Sequence, residues 1–120
     1  MLKKVHHVGI EVKNLAGTAN LLEKIGGFNV VTEFIFQSEK IVFLSTGDIL
    51  IELAESKHLD EQPVHLAFET DDLEEAAAYC ERLQLKLAEG PFHLENNWKT
   101  AFFEDETGRY FEIIETGDSQ

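Results

Sequence analysis

The sequence predicts an α+β protein built from two modules, each with the element order strand, helix and three strands (βαβββ). The first observation is an internal repeat, because VHHVGIEV and PVHLAFET open two stretches of similar length and both contain the pattern H-x-x-x-E. The second is hydrophobic periodicity, which alternates as in a strand at both openings and becomes helical directly afterwards. We therefore expect one domain over residues 1–120, with a first module at about residues 1–56 and a second at about 63–116.

Composition and charge restrict the class of protein. The chain has 120 residues, 43% of them apolar, which suits one globular domain with its own core. Its formal net charge of −13 would repel phosphate groups, so we expect neither a nucleic acid nor a membrane as partner. No apolar run approaches the roughly 20 residues of a membrane span. The single cysteine excludes an internal disulfide and a cysteine-based zinc site, and we expect a cytoplasmic protein.

The first module begins with a strand at about residues 5–12. Asn14 is expected to cap the following helix, and the pair Gly26-Gly27 is expected to end it. Four apolar residues should form the buried stripe of this helix: Leu15, Leu21, Leu22 and Ile25. Three strands should follow, at about Phe28–Phe36, Lys40–Ser45 and Ile49–Ala54.

The second module repeats this order. Asp71 or Asp72 should cap its helix, whose apolar residues recur at helical spacing. These residues are Leu73, Ala76, Ala77, Cys80 and Leu83. Three strands should follow, at about Lys86–Phe92, Thr100–Phe103 and Tyr110–Glu115. We interpret the polar segment Glu55–Gln62 as a linker inside one domain, because a half of about 55 residues would leave sheet surface uncovered.

Strand periodicity places four potential metal ligands on the sheet faces opposite the helices. His7 lies on the first strand of its module and Glu52 on the last, and His65 and Glu112 occupy the matching places in the second module. Because side chains alternate between faces, all four point away from the apolar residues that face the helices. Apposed half-sheets would gather two imidazoles and two carboxylates, a ligand set for Ni²⁺, Co²⁺, Zn²⁺ or Mn²⁺. His6 points to the other face, as a surface or packing residue.

Other polar residues have simpler interpretations. Glu11 and Glu69 share the face of the four ligands, but we expect both at strand ends in water. Cys80 falls on the apolar stripe of the second helix, so it is expected in the core rather than as a nucleophile. Trp98 precedes a strand in a polar loop, where a binding-site rim and a packed surface aromatic both remain open.

Four stretches, HHVGIEV, ILIELAE, VHLAFET and TAFFEDETGRYFEIIE, resemble the vicinal oxygen chelate superfamily, which includes glyoxalase I, methylmalonyl-CoA epimerase, bleomycin-resistance proteins and extradiol dioxygenases. The resemblance covers essentially the whole chain. It implies a curved mixed sheet with helices on its outer face, and a homodimer whose sites form between modules. It also implies that His7, Glu52, His65 and Glu112 hold a divalent metal ion, and the order of these ligands is similar to that of glyoxalase I.

The resemblance implies a glyoxalase-like lyase or isomerase, similar to lactoylglutathione lyase, that acts on a small substrate with two adjacent oxygens. The metal would bind these oxygens and stabilise an enediolate-type intermediate, while a carboxylate moves the proton between carbons. Glu112 is the first choice for this base, because the glyoxalases use the glutamate of their last strand, and Glu52 is the second. With only ten Lys and Arg together, the chain is poorly suited to anionic substrates such as a glutathione adduct or an acyl-CoA.

A second function remains open. Bleomycin-resistance proteins share the resemblance and the acidic character, and they sequester a cationic ligand without catalysis. The net charge of −13 favours such a binding protein, whereas the four intact ligand positions favour an enzyme. For either function we expect a homodimer, because the half-sheets would otherwise leave an apolar face exposed.

Overall fold

A computed structural model of the chain describes residues 2–57 and 64–117. Residues 58–62 of the predicted linker lie outside the described residues. The chain groups into two compact units, which we call the N-terminal unit (residues 7–64) and the C-terminal unit (residues 65–120 together with residues 1–6). Neither of the two described helices has the length and apolar character needed to cross a membrane.

The described residues form eight strands and two helices in the order βαβββ, repeated once. The elements of the first repeat are β1 (Leu2–Val12), α1 (Leu15–Gly26), β2 (Asn29–Phe36), β3 (Glu39–Thr46) and β4 (Ile49–Glu55). Those of the second are β5 (Val64–Thr70), α2 (Leu73–Arg82), β6 (Lys86–His93), β7 (Lys99–Glu104) and β8 (Tyr110–Glu115). Every predicted helix and strand is present. β1 begins three residues before its predicted start at residue 5, and the ends of β2–β4 and β6–β8 differ from prediction by one residue at most.

The N-terminal unit has the strand order β2-β3-β4-β1. β1 runs parallel to β4, and the hairpins β2–β3 and β3–β4 are antiparallel. One face of these strands packs against α1, because alternate apolar residues of β3 and β4 point toward it. The buried residues of this core are Leu15, Val42, Leu44 and Leu53.

Helix α1 is capped at both ends as predicted, but its buried stripe differs. The Asn14 side chain accepts a hydrogen bond from the Gly17 amide at 3.0 Å, and Gly27 ends the helix in the left-handed conformation at a φ of 66°. The prediction that Leu21 and Ile25 are buried is wrong, since they are 53% and 72% exposed. The stripe that begins at Leu15 continues through Ala19 and Leu22, and Leu21 and Ile25 form a second i, i+4 pair beside it.

The C-terminal unit repeats this arrangement with the strand order β5-β8-β7-β6. β5 runs parallel to β8. α2 covers one face of these strands, which is equivalent to the face that α1 covers in the N-terminal unit. The buried residues of this core are Leu73, Ala76, Cys80, Ala101, Phe103 and Ile113. Cys80 therefore lies in the core as predicted, and burial raises the pKa of its thiol. The prediction for Leu83 is wrong, because this residue follows the end of α2 and is 54% exposed.

The predicted fold class is confirmed as α+β with two βαβββ modules. Of the two predicted caps of the second helix, Asp72 is the one used, and its side chain accepts a hydrogen bond from the Glu75 amide at 3.1 Å. In both units the helix covers one face of a mixed sheet, which leaves the other face for the residues described next.

Candidate metal centre

The N-terminal unit pairs His7 with Glu52. These residues lie on the adjacent parallel strands β1 and β4. Glu52 is the register partner of Gly9, and His7, two residues before Gly9, lies on the same face of the sheet. The distance from His7 Nε2 to Glu52 Oε1 is 3.5 Å. His7 is 1% exposed and the Glu52 side chain 14%, so a titratable pair lies largely out of water on the face opposite α1.

An aromatic side chain holds the His7 ring in place. Phe43 of β3 is the register partner of Glu52, and its ring packs edge-on against the His7 ring at a centroid distance of 4.9 Å. Phe34 of β2 stacks behind Phe43 at 6.1 Å. This packing restricts rotation of the imidazole and surrounds it with apolar surface.

The C-terminal unit pairs His65 with Glu112 in the same way. They lie on the adjacent parallel strands β5 and β8, and the distance from His65 Nε2 to Glu112 Oε1 is 2.8 Å. The other carboxylate oxygen, Oε2, accepts a hydrogen bond of 2.6 Å from the Thr100 hydroxyl, which also contacts the Ile113 carbonyl at 3.1 Å. Thr100 and Glu112 are 1% and 3% exposed, so both oxygens of this carboxylate are held in a buried setting.

Phe102 occupies the place in the C-terminal unit that Phe43 occupies in the N-terminal unit. It is the register partner of Glu112, and its ring packs edge-on against His65 at a centroid distance of 5.5 Å. Each unit therefore holds one trio of histidine, glutamate and phenylalanine at equivalent strand positions. The structure brings His7 to Glu52 and His65 to Glu112, as strand periodicity predicted for each module.

A second glutamate in each last strand points the other way. Three residues after Glu52 and Glu112, in the repeated pattern E-x-x-E, stand Glu55 and Glu115. Glu55 Oε2 accepts a hydrogen bond from the Leu15 amide at 3.1 Å, and Glu115 Oε1 accepts one from the Leu73 amide at 2.8 Å. These carboxylates satisfy an otherwise unpaired amide at the start of each helix and complement its positive end.

Several of these residues were not predicted. Thr100, Phe43 and Phe102 belong to no sequence motif, although hairpin pairing would have aligned the two phenylalanines with Glu52 and Glu112. The E-x-x-E repeat was visible, and the odd spacing implies that its two glutamates serve opposite faces.

Of the predictions for the remaining polar and aromatic residues, some are confirmed and one is wrong. His6 is confirmed as a packing residue, since its ring lies edge-on to Trp98 at a centroid distance of 5.2 Å in the C-terminal unit. Trp98 is thereby placed as a packed aromatic. The expectation that Glu69 lies in water is wrong, because it is 8% exposed and accepts a hydrogen bond of 3.3 Å from the Thr116 hydroxyl. Glu11 is partly buried at the end of β1.

Solved structures with a similar fold include three structures of methylmalonyl-CoA epimerases. One, in complex with methylmalonyl-CoA and NH4+, has a TM-score of 0.84 at 19% identity, with 100% of this chain and 99% of that chain covered. A Streptomyces coelicolor variant in complex with 2-nitronate-propionyl-CoA gives the same four values. The Mycobacterium tuberculosis protein has a TM-score of 0.81 at 20% identity, with 95% and 88% covered. At these identities the likeness shows a shared fold.

Sequence comparison identifies the family. No curated protein matches the chain significantly. A model of the Glyoxalase/Bleomycin resistance protein/Dioxygenase superfamily matches residues 4–113, which include both histidine–glutamate pairs and nearly all of both modules. The resemblance predicted from the four sequence stretches is thereby confirmed. The chain belongs to the Glyoxalase/Bleomycin resistance protein/Dioxygenase superfamily.

Proposed function

We propose that this protein is a metal-dependent isomerase or lyase of the glyoxalase type, which moves a proton at a carbon beside two adjacent oxygens of a small substrate. The observation that carries the proposal is the repeated pair of a buried imidazole and a carboxylate, one pair in each unit. The superfamily assignment and the epimerases of similar fold support it, because epimerisation is itself a proton transfer at carbon.

The proposed ligands of one divalent ion are His7, Glu52, His65 and Glu112. The donor set fits, since imidazole nitrogen and carboxylate oxygen suit Ni²⁺, Co²⁺, Zn²⁺ and Mn²⁺. The spacing within each pair is close to what a bound ion requires. Neighbouring ligands bound at about 2.1 Å stand roughly 3.0–3.4 Å apart in octahedral or tetrahedral geometry, and the observed separations of 2.8 and 3.5 Å lie on either side of that range.

The bound ion would supply Lewis acidity, which stabilises negative charge that develops on the two substrate oxygens. The residues of the chain do the rest. One carboxylate accepts the proton from the substrate carbon and returns it, either to the neighbouring carbon or to the other side of the same carbon. Glu112 and Glu52 are the two candidates for this role. Phe43 and Phe102 keep apolar surface beside both histidines, which limits the access of water.

We further propose that the protein is a homodimer and works in the cytoplasm. The N-terminal unit leaves five large apolar side chains at least half exposed, and burial against a second copy would remove them from water. They are Leu21, Ile25, Val31, Ile35 and Ile49. Light scattering at tens of micromolar protein, the concentration range of ordinary complex affinities, should give twice the chain mass, and a monomer would contradict the assembly.

The catalytic proposal is tested by proton exchange. Protein loaded with each of the four metals is incubated in D₂O with 2-oxo thiohemiacetals and 2-substituted thioesters, and NMR follows loss of the proton at the carbon beside the oxygens. We expect exchange or isomerisation of at least one compound, and its loss after chelation of the metal. No turnover of any compound, together with tight binding of a cationic aromatic molecule, would contradict the enzyme and indicate a sequestering protein instead.

A further inference from the structure

The repeated pattern H-x-x-x-E places a second glutamate on the strand of each candidate histidine ligand, and the proposed function leaves this glutamate unused. In the C-terminal unit it is Glu69 of β5, four residues after His65. An even separation keeps both side chains on one face of the sheet, which we call the ligand face. The register agrees, since Ala67 pairs with Glu112 and Glu69 pairs with Ile114. Glu69 is therefore a diagonal neighbour of Glu112, at about 7–8 Å.

Glu69 is an acidic residue in a buried position. It is 8% exposed, and its register partner Ile114 is fully buried. Carboxylate oxygen Oε2 accepts a hydrogen bond from the Thr116 hydroxyl at 3.3 Å, which is long for a bond between two oxygens. Removing an ionised carboxylate from water is unfavourable unless a charge or good hydrogen bonds compensate it. The one long hydrogen bond provides little of this compensation.

The other oxygen of Glu69, Oε1, remains available to a ligand. It has no hydrogen-bond or ion-pair partner among the described residues. Every fully buried side-chain nitrogen and oxygen atom in the same part of the chain does have a hydrogen-bond partner. Oε1 therefore keeps some contact with solvent, although most of its side chain is buried. A ligand group that replaces this solvent can bind the oxygen directly.

The register row of Glu69 contains no cation. Across the described strands β8, β7 and β6 this row consists of the uncharged residues Ile114, Thr100 and Phe92. Lys99 stands one residue before the row and points to the opposite face, where its ammonium lies 3.8 Å from Glu115. The charge of Glu69 is therefore not balanced by a lysine of the neighbouring strands, and a cation from outside would be attracted to it.

We propose that Glu69 is a cation subsite beside the candidate metal centre, which binds an ammonium or guanidinium group of a ligand whose two adjacent oxygens occupy that centre. The inference rests on the proposed function and deepens it, because it gives the substrate a positive charge. The carboxylate has already lost most of its water, so binding a cation requires little further dehydration of the protein. The net charge of −13 acts in the same direction over a longer range.

Two hydroxamates of the same shape test the inference without turnover, because a hydroxamate offers two adjacent oxygens to a metal. 4-(Aminomethyl)benzohydroxamate carries an ammonium group where 4-ethylbenzohydroxamate carries a methyl group. Their dissociation constants are measured from the visible absorption of Co²⁺-loaded protein. The ammonium compound should bind about tenfold more tightly, the lower end of what a hydrogen bond to a charged group contributes. Equal affinities, tighter binding of the ethyl compound or no binding of either would overturn the inference.

Two matched variants locate the preference. Glu69→Gln removes the charge and keeps the shape, so the preference for the ammonium compound should fall to about twofold or less. Glu81→Gln, on the exposed surface of α2, changes the net charge by the same amount and should leave the preference unchanged. A preference that survives Glu69→Gln, or that both variants reduce equally, would overturn the assignment to Glu69.

Thermal unfolding distinguishes a binding role of Glu69 from a purely structural one. Glu69→Gln should leave the unfolding midpoint unchanged or raise it, because it removes a poorly compensated buried charge and keeps an oxygen for the Thr116 hydroxyl. A structural carboxylate would instead lose stability on this change. A lowered midpoint with an unchanged hydroxamate preference would overturn the inference.

The proton-exchange assay separates failure of this inference from failure of the proposed function. Thiohemiacetals of methylglyoxal with thiocholine and with 3,3-dimethylbutane-1-thiol have the same shape, and only the first carries a positive charge. Turnover of the thiocholine adduct at the higher kcat/KM supports both proposals. Turnover of the neutral adduct at an equal or higher kcat/KM overturns only the cation subsite. Hydroxamate preference without any turnover supports the subsite and contradicts only the enzyme.

Discussion

Each unit carries a histidine–glutamate pair at equivalent strand positions, but the contacts around the two pairs differ. In the C-terminal unit the pair is tight, at 2.8 Å, and the Thr100 hydroxyl engages its outer oxygen. In the N-terminal unit the pair stands at 3.5 Å, with Phe43 against the imidazole and Ile41 in place of the threonine. Equivalent strand positions therefore bring the same residue types together in both units, whereas the side chains around the two pairs differ.

The largest expected effects are losses of stability in the cores of the two units. Leu44 and Phe103 follow the equivalent phenylalanines directly and are almost fully buried beneath α1 and α2. Truncation leaves a cavity, so Phe103→Ala should lower the free energy of unfolding by about 3–5 kcal/mol and Leu44→Ala by about 2–5 kcal/mol. Chemical denaturation measures both. A loss under 1 kcal/mol at either position would show that its core can collapse around the missing atoms.

Metal affinity provides the next comparison. His7→Ala and His65→Ala should each weaken binding by more than the roughly 10–100-fold that loss of an outer-sphere partner costs. His6→Ala is the control, since its ring packs on Trp98 and alternation directs it away from the ligand face. Isothermal titration with Co²⁺ or Ni²⁺ gives all three affinities. Equal effects from His6 and His65 would contradict the assigned ligand faces.

Smaller effects are expected at the helix starts. Glu115→Gln and Glu55→Gln each replace a charged acceptor of a helix amide, and losses of about 0.5–2 kcal/mol are typical for a helix cap. The effect should be larger for Glu115, whose hydrogen bond is 2.8 Å long against 3.1 Å for Glu55. Lys99 adds little, because its partly exposed contact with Glu115 is 3.8 Å long. Thermal unfolding measures the difference, and the reverse order would contradict it.

The smallest effect concerns the turn between β7 and β8 in the C-terminal unit. The Thr107 hydroxyl and the Arg109 amide hydrogen-bond to Asp105 and lower the pKa of its carboxyl. Because the pKa of Asp105 is lowered in the folded state, the hydrogen bonds to its ionised carboxylate stabilise the fold. This stabilisation is complete above about pH 4, the ordinary Asp value, and is lost as the pH falls through the folded-state pKa. An NMR titration should show a low midpoint for Asp105, and Thr107→Ala should raise it. An unchanged midpoint would contradict the role of the hydroxyl.

Period-two alternation and the internal repeat were sufficient to predict the strands and the pairing of each histidine with its glutamate, and N-cap preferences predicted Asn14 and the alternatives Asp71 and Asp72. These features depend on local backbone geometry, which the order of residues expresses directly. The burial of Leu21 and Glu69 was mispredicted, because it depends on which stripe of a helix meets the sheet and on which hydroxyl approaches a carboxylate. Thr100 was missed for the same reason, since its hydrogen bond to Glu112 joins two strands of a hairpin.

The repeated E-x-x-E pattern makes the last strand of each module sensitive to changes of length. Glu112 lies on the face of the candidate metal ligands and Glu115 contacts the start of α2, and an odd separation keeps them on opposite faces. Insertion or deletion of one residue between them would turn one carboxylate to the wrong face, so the helix would lose its cap or the histidine its partner. Substitutions between the two glutamates leave this relation intact. Natural variation in these strands should therefore consist of residue replacements, with length changes confined to the turns before them.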